Sequence, residues 1–424
     1  METRRTLYFF LMTICASSRL TAGDWPAFRG PQGDGTAQES GLPREWGPDR
    51  HIKWKAALPA PGNGSPIVSN GRVFVTYAQE RGQQRHLACF DRTNGEQLWI
   101  ATVPYGKVEE THETNPYCGS TPLADGERVF VWHGSAGMHC YDFDGNVLWS
   151  RDLGEFEHIW GYGSSPIRIG DTIIQLCGPG ERTRLAALRA DDGEVLWETP
   201  EPGCKGKDNE RYVSTWGTPV VIDVQGRKQL LIGMPTRAAA YDSQTGKLEW
   251  FVTGISSDRA DVCYTSPLVS GDAGVVLGGY HGPGVGFTLG GSGDVTNSNV
   301  LWKDIPDSPP NPQRIGTGVV LGEHVFMANA DGPGSIECFD LRTGKSRWQE
   351  RRTADGPHWG SIVSADGRLY VTGQKGVTTV FAPNPDRYEL IAENDLGERT
   401  NSTPAVSNGE IFLRTFEHLY CISE

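Results

Sequence analysis

The feature that most constrains this chain is a unit of about 45 residues that recurs eight times in approximate form. The clearest copy, residues 65–99, contains short apolar runs separated by turns at Asn70-Gly71 and at residues 91–95, and it ends in Leu98-Trp99. A unit of this size holds four short strands, which cannot bury both faces of their sheet alone. The repeat therefore predicts an all-β chain in which copies of one small sheet pack around an axis.

Each copy can be recognised at both ends. The opening residue is always Ser or Thr, and the residue before it is always Gly, Ser or Thr. These heads are Ser65, Thr121, Ser165, Thr218, Ser266, Thr317, Ser361 and Thr403. We call the closing residue of each copy its tail. The eighth tail, near Leu390, lacks the tryptophan, and seven tails are tryptophans: Trp54, Trp99, Trp149, Trp197, Trp250, Trp302 and Trp348. Small residues suit strands that converge on an axis, and tryptophan fills a wide outer rim. The pattern predicts an eight-bladed β-propeller of four-stranded antiparallel blades, and its fixed period disfavours a two-sheet sandwich.

The order of heads and tails predicts how the ring closes. The first tail, at Trp54, precedes every head, and the last head, Thr403, has no tail after it. We therefore expect the N-terminal strand near residues 51–58 to complete the last blade, which would leave no exposed sheet edge at the closure.

Length and composition divide the chain into three parts. Eight blades use residues 51–424 as one propeller domain, and the Gly- and Pro-rich residues 23–50 predict an irregular arm against it, anchored by Trp25, Phe28 and Trp46. Residues 1–22 are typical of a secretory signal peptide: Arg4 and Arg5 precede an apolar run that is too short to span a bilayer permanently. We expect an exported protein of the periplasm or cell envelope, without a transmembrane segment once the signal is removed. A net charge of −13 disfavours nucleic acid and anionic membrane surfaces as partners.

The cysteines fall into two groups. One group occupies a single repeat position that alanine fills in other copies, which indicates small buried strand residues: Cys89, Cys140, Cys338 and Cys421. The other group is predicted to lie in loops, and one disulfide bridge within it stays open: Cys118, Cys177, Cys204 and Cys263.

Loop placement predicts where a ligand would bind. In a four-stranded blade, the loop before the innermost strand and the loop between the second and third strands emerge on one face, which we call the funnel face. The candidate ligand-binding residues on it are Tyr117, His133, Trp160, Trp216, Tyr264, His281, Arg314, Trp359 and Asn401. A concave surface of aromatic and polar side chains is where ligands commonly bind. The alternative is that these side chains only plug the channel and pack the loops.

Familiar catalytic and metal-binding patterns are missing from the sequence. It contains no His-Glu-x-x-His, no Cys-x-x-Cys, no phosphate-binding loop and no nucleophile elbow. The Asp-Gly turns, such as Asp91 to Gly95, lack the alternating carboxylates of calcium loops, and Asp side chains that bond their own turn explain them. We therefore predict no catalytic and no metal-ligating residues.

Three tails carry a shared signature. Residues 90–99, 241–250 and 339–348 read Phe/Tyr-Asp, then Gly, then Trp at matching spacing. This signature resembles the eight-bladed repeats named after pyrroloquinoline quinone (PQQ), found in quinoprotein dehydrogenases and in the BamB outer-membrane assembly factor. The opening Asp24-Trp25-Pro26 to Gly30-Pro31 is similar to that of exported BamB-like proteins.

The resemblance implies two functions. A BamB-like protein would be a non-catalytic, exported scaffold for envelope or secreted proteins, with no cofactor expected. A quinoprotein would be an oxidoreductase with PQQ and calcium on the funnel face, where Trp216, Trp359 and Arg314 suit a planar anionic quinone.

Quinoproteins usually carry adjacent cysteines over the cofactor, which this chain lacks, and their calcium ligands have no match here. BamB proteins are commonly lipidated, which the residues before Cys15 do not support. We predict the scaffold, with the oxidoreductase as the alternative and a small-molecule ligand in the funnel left open.

Overall fold

The computed structural model describes residues 23–208, 210–303, 312–351 and 355–424. Strands dominate these residues, and the helical segments among them are the 3-10 turns Glu80–Gly82 and Gly134–Ala136 and the short α-helix Thr296–Asn299. None of these helices is long and apolar enough to cross a membrane. The predicted signal peptide, residues 1–22, lies outside the described residues.

Eight antiparallel sheets form the blades, each numbered by its head. Blades 1 and 2 comprise Ile67–Ser69, Arg72–Gln79, Gln84–Asp91 and Gln97–Pro104, then Leu123–Ala124, Arg128–Trp132, Met138–Asp142 and Val147–Arg151. Blades 3 and 4 comprise Ile167–Ile169, Thr172–Cys177, Arg184–Arg189 and Val195–Pro200, then Val220–Val224, Arg227–Met234, Arg237–Asp242 and Leu248–Thr253. Blades 5 and 6 comprise Leu268–Ser270, Ala273–Leu277, Gly284–Thr288 and Val300–Lys303, then Val319–Leu321, His324–Asn329, Ser335–Asp340 and Ser346–Arg351. Blades 7 and 8 comprise Val363–Ala365, Arg368–Thr372, Val377–Phe381 and Leu390–Asp395, then Ala405–Ser407, Glu410–Arg414, His418–Ile422 and Ile52–Ala57. The predicted eight-bladed propeller is confirmed.

Blade 8 is built from both ends of the described chain. Ile52–Ala57 pairs antiparallel with His418–Ile422, with Trp54 opposite Cys421. The Trp54 ring also packs against Phe412 with the ring centroids 5.9 Å apart. The predicted closure by the N-terminal strand is confirmed.

Hydrogen bonds join most successive heads around the axis. The backbone N–H of Ser65 donates to the Thr121 hydroxyl at 2.9 Å, and the Thr403 N–H donates to the Ser65 hydroxyl at 3.0 Å, which links the last head to the first. Five further bonds of this kind, at 2.9 to 3.0 Å, link other successive heads. The heads are therefore Ser or Thr for two reasons, because the position needs both a small side chain and an acceptor oxygen.

At the outer rim, the tail tryptophans repeat one contact between neighbouring blades. The indole N–H of most tail tryptophans donates to a backbone carbonyl of the next blade, as Trp149 does to Ala190 at 2.9 Å. The same bond is made by Trp54, Trp99, Trp302 and Trp348. The ring lies under the Asp-Gly turn of that blade, so a Cβ at Gly193 would lie 2.5 Å from the Trp149 ring. The Gly and the Trp of the repeat signature therefore form one contact between neighbouring blades.

Blades 4 and 5 depart from the repeat. Gly293–Asp294 adds a fifth, parallel strand to the outer edge of blade 4, opposite Trp250 and Phe251. A separate three-stranded sheet on the funnel face consists of Gly206–Asp208, Arg211–Thr215 and Ala260–Cys263. It places the loops before blades 4 and 5 side by side.

The arm crosses the face opposite the funnel. Trp25 exchanges two backbone hydrogen bonds of 2.9 Å with Val68, and Ser364 N–H donates to the Gly35 carbonyl at 2.8 Å. Arg29 is fully buried and donates to the carbonyls of Thr317 and Gly318 near the axis at 3.1 and 2.7 Å. Burial lowers the pKa of Arg29 to about 10, despite the nearby Asp34 carboxylate. The arm therefore fastens several blades together by main-chain and charge-assisted hydrogen bonds.

The eight described cysteines are buried free thiols. Cys118, Cys177, Cys204 and Cys263 accordingly form no bridge with each other, which answers the question that the sequence left open.

Candidate functional site

A cavity of about 390 Å³ lies on the axis at the funnel face. Its walls come from the loops before the innermost strands, and its floor comes from the ring of heads. The lining residues are Phe28, Asn63, Ser65, His112, Thr114, Asn115, Gly119, Thr121, Trp160, Gly163, Trp216, Thr218, Tyr264, Ser266, Tyr280, Gln313, Ile315, Gly316, Thr317, Trp359, Ser361, Asn401 and Thr403. This volume falls in the range of small-molecule sites.

One wall is a cluster of aromatic rings around Trp160. The Trp160 ring lies 4.4 Å from Tyr212, 5.7 Å from Trp216, 6.1 Å from Tyr264 and 5.9 Å from Tyr280, measured between centroids. Blades 3, 4 and 5 supply these rings, and the three-stranded sheet carries Tyr212. Packing among the rings fixes their orientation, so the wall is preorganised.

Trp359 lines the cavity from blade 7. Blade 7 is four blades from blade 3, which makes it the blade directly across the axis in a ring of eight. The cavity therefore has aromatic surface on two opposite sides.

A network of amide side chains holds the long insert, residues 105–118, over the cavity. Asn63 donates to the Thr114 carbonyl and to the Asn115 side chain, both at 3.0 Å. Asn401 donates to the Asn63 side chain at 3.1 Å and to the Thr114 carbonyl at 2.9 Å. Asn115 in turn donates to the Trp160 carbonyl at 2.6 Å. The network ties the insert to the aromatic wall, so these amides act mainly by positioning.

Phe28 of the arm closes the base of the cavity. It also lines a second cavity of about 590 Å³ on the opposite face, so its ring lies between the two. Thr218 and Ser266 also line both cavities, so the arm and the heads separate the two spaces along the axis.

Five of the nine predicted binding residues line this cavity: Trp160, Trp216, Tyr264, Trp359 and Asn401. The structure brings them together, while their part in binding stays a prediction. The other four predicted residues, Tyr117, His133, His281 and Arg314, are not among its lining residues.

Those four side chains make contacts within the protein. The Tyr117 hydroxyl donates to the Glu109 carbonyl at 3.0 Å, and Arg314 pairs with Glu337 at 3.1 Å. His281 approaches Asp331 at 3.8 Å. His133 is almost fully buried, and its burial, with smaller effects of nearby His139 and Arg85, holds its pKa well below the ordinary value.

Several lining residues escaped the sequence prediction. Tyr280 lies next to His281, and both have positive φ angles, of 52° and 67°, which turn the chain so that Tyr280 lines the cavity. The sequence predicts Phe28 as an anchor of the arm alone, because nothing in the repeat shows that the arm reaches the axis. The insert containing Asn115 gave a usable signal in its length, since long loops on a rigid scaffold often carry function.

The described lining carries little charge. It contains no Asp, Glu, Lys or Arg, and His112 lies exposed at the mouth. Burial raises the pKa of Tyr264, and burial of His158 behind the aromatic wall lowers the pKa of that imidazole to about 4. These groups are therefore neutral near pH 7. Such a surface can bind a ligand, and apart from the exposed His112 imidazole its described lining offers no carboxylate, amine or imidazole for acid–base catalysis or metal binding.

Comparison with known families identifies the class of protein. The family described as outer membrane protein assembly factor BamB matches residues 48–350 and 332–421. The chain therefore belongs to this family of PQQ-like propeller repeat proteins. No curated protein matches the chain significantly.

Solved structures share the fold at low sequence identity. BamB from Moraxella catarrhalis is 14% identical with a TM-score of 0.59, covering 87% of this chain and 98% of that one. Quinohemoprotein alcohol dehydrogenase from Comamonas testosteroni is 12% identical with a TM-score of 0.66, covering 96% and 81%. A europium-containing methanol dehydrogenase is 10% identical with a TM-score of 0.58, covering 95% and 98%. These similarities show the fold and do not distinguish a scaffold from an enzyme.

The quinoprotein relatives raise the question of whether PQQ fits the cavity. Its aromatic walls would suit a planar ring, but an anionic quinone and its metal ion also need cationic and carboxylate partners. The described lining supplies neither, and Arg314, the predicted cation, is already paired with Glu337. The described lining of the axial cavity therefore does not fit PQQ with a metal ion.

Proposed function

We propose that this protein is an exported, non-catalytic binding module of the cell envelope that holds an envelope or secreted protein at its funnel face. The observation that carries the proposal is the axial cavity, which is preorganised and has no Asp, Glu, Lys or Arg along its described lining. Binding needs shape and fixed contact surface, whereas catalysis needs groups placed to move protons, electrons or metal-bound oxygen.

Two further features support this assignment. The family carries the name of a protein assembly factor, which favours protein partners. The signal-like residues 1–22 favour export.

A second long insert, residues 201–212, precedes blade 4, and together with residues 105–118 it widens the surface available to a partner. A groove of about 460 Å³ beside the axial cavity is lined by residues of both inserts, among them Val108 and Lys207. The Val108 side chain is 44% exposed. An apolar side chain held out on an anchored loop next to charged neighbours is typical of a transient protein interface.

Site-specific photo-crosslinking tests the proposal. A photoreactive amino acid at Glu113, exposed on the insert above the funnel, should give a discrete adduct in the envelope of producing cells. The matched control is Glu96, exposed in a turn on the opposite face, which should give none. Excess unlabelled protein should compete the Glu113 adduct away. Equal adducts at both positions, or none at Glu113, would contradict the proposal.

A second experiment separates binding from oxidoreductase activity. Purified protein incubated with PQQ and calcium should keep its melting temperature and should not reduce a dye with alcohols or sugars. A ligand that binds the folded state raises its stability by mass action, so a higher melting temperature together with dye reduction would establish the quinoprotein alternative.

A further inference from the structure

The lining of the axial cavity indicates the chemical class of ligand that it would bind. Three properties of the lining point to that class: the aromatic walls, the floor of hydroxyl groups and the absence of Asp, Glu, Lys and Arg among the described lining residues. This inference rests on the proposed role of the funnel face in binding, and it goes further by naming a ligand for the cavity itself.

The aromatic surfaces favour a ligand with a ring that has apolar faces. Trp160 on one side and Trp359 on the other present partly exposed rings to the same cavity. The Trp160 ring is backed by Trp216 at 5.7 Å, so it offers a fixed platform. A flat or gently puckered ring placed on the axis would contact aromatic surface on two sides.

The floor favours a ligand with many oxygen atoms. Thr121, Thr317 and Thr403 each accept a backbone N–H through the side-chain oxygen. A hydroxyl that accepts in this way keeps its own hydrogen to donate. The head hydroxyls on the floor can therefore donate to acceptor oxygens of a ligand, and a wholly apolar ligand would leave them without water and without a partner.

The uncharged lining favours a neutral ligand. Moving a carboxylate, phosphate or ammonium group from water into this cavity would cost free energy that the described residues cannot return through an ion pair. A peptide terminus carries such a charge, so a cavity with this lining is poorly suited to a chain end.

We propose that the axial cavity binds a neutral sugar ring, with one pyranose unit between Trp160 and Trp359 and its hydroxyl oxygens toward the ring of heads. A pyranose combines apolar C–H faces with a rim of oxygen atoms, and it carries no charge. The lining of this cavity matches each of these properties.

Titration with neutral trisaccharides tests the proposal. Cellotriose, maltotriose and tri-N-acetylchitotriose would be titrated into the full exported chain, with binding followed by calorimetry and by tryptophan fluorescence. At least one should bind with a dissociation constant below the millimolar range. Trigalacturonate, of the same length but with three carboxylates, should bind at least tenfold more weakly than the best neutral sugar.

Variants locate the binding within the cavity. Trp160→Ala and Trp359→Ala should each weaken the affinity at least tenfold, while Trp348→Phe on the outer rim should leave it unchanged. If Trp160→Ala loses its fold, as judged from its melting curve, Trp359→Ala decides the test, because that ring is only half-buried.

Three results would overturn the proposal: no trisaccharide binds at millimolar concentration, affinity survives both cavity variants, or trigalacturonate binds as tightly as the neutral sugars. If sugar binding fails while the Glu113 crosslink persists, only the ligand class is wrong. If sugar binds but no Glu113 adduct forms, the protein-binding role fails and the sugar site stands.

Discussion

The outer rim and the funnel face of this propeller use aromatic residues in opposite ways. At the rim, each tryptophan recurs at the same place in successive blades and repeats one contact, as Trp149 does with Gly193 and the Ala190 carbonyl. At the funnel face, Trp160 and Trp359 belong to loops that differ between blades, and they face a shared cavity. The repeated aromatics hold neighbouring blades together, whereas the aromatics that occur once line a cavity on one face of the propeller.

Removing the closing strand should have the largest effect on the rim. Deletion of residues 1–58 takes away Ile52–Ala57 and leaves His418–Ile422 as an open edge. We expect a loss of more than about 5 kcal/mol, comparable with the whole stability of many domains, and no cooperative melting transition. Deletion of residues 1–50, which removes the arm but keeps Ile52–Ala57, is the control and should still melt cooperatively. A normal melting curve for the larger deletion would refute the closure as a source of stability.

Replacing one tryptophan in each region should lower the free energy of unfolding by different amounts, with the larger loss at the rim. Trp149→Ala should lower the free energy of unfolding by about 3–5 kcal/mol, because a buried ring and its hydrogen bond to Ala190 are lost. Trp359→Ala should cost less than about 1 kcal/mol, because that ring is half-buried at a cavity. Urea denaturation measures both. Equal costs would show that the funnel aromatics also hold the ring together.

Two glycines test the rim contact more finely. Gly193 and Gly170 both have positive φ, at 68° and 57°, but only at Gly193 would a Cβ meet the Trp149 ring. Gly170→Ala should cost about 1–2 kcal/mol from backbone strain alone. Gly193→Ala should cost about 1–3 kcal/mol more, because the ring must move. If both variants unfold at the same urea concentration, the signature glycine serves only its turn.

Glu398, which contacts the strands that close blade 8, should make a smaller contribution to stability that is lost at acid pH. Burial alone would raise the pKa of Glu398, but hydrogen bonds from Thr415, Tyr420, Lys55 and His418 outweigh it and lower that pKa from 4.5 to about 2. A carboxylate with a depressed pKa stabilises the fold above its unfolded pKa, and this stability is lost as the pH falls from 4.5 toward 2. The melting temperature of Glu398→Gln should therefore depend less on pH in this window than that of the wild type. Parallel curves would contradict the assignment.

A pH-dependent contribution to stability from the funnel face should be lost at a higher pH than that of Glu398. Burial lowers the pKa of His158 from 6.5 to about 4, so the stability that neutral His158 provides is lost as the pH falls from 6.5 toward 4. His158→Phe should weaken the pH dependence in that window, where buried His133 still contributes, and should leave the window of Glu398 unchanged. Loss of the same window in both variants would mean that the two regions titrate as one unit.

The outcome for particular residues shows how far the sequence could lead. Ser65, Thr403 and the rim tryptophans were placed correctly because each is one of many equivalents, and repetition averages out local irregularity. The sequence predicts Trp160, Trp216 and Trp359 on the face where the cavity lies, because blade topology fixes where a loop emerges. The same reasoning predicts His133, Arg314 and His281 on that face, but these residues are buried or in ion pairs and do not line the cavity.

The sequence by itself determined the number of blades, their strand order and the strand that closes the ring, because these depend on period and on the order of heads and tails. Tertiary structure decided which side chains share a space. The arm places Phe28 at the axis, and the amide network around Asn115 fixes an insert whose path no local pattern determines. The physical reason is that strand pairing follows from short-range alternation along the chain, whereas a cavity is formed by loops far apart in sequence whose positions depend on packing against one another.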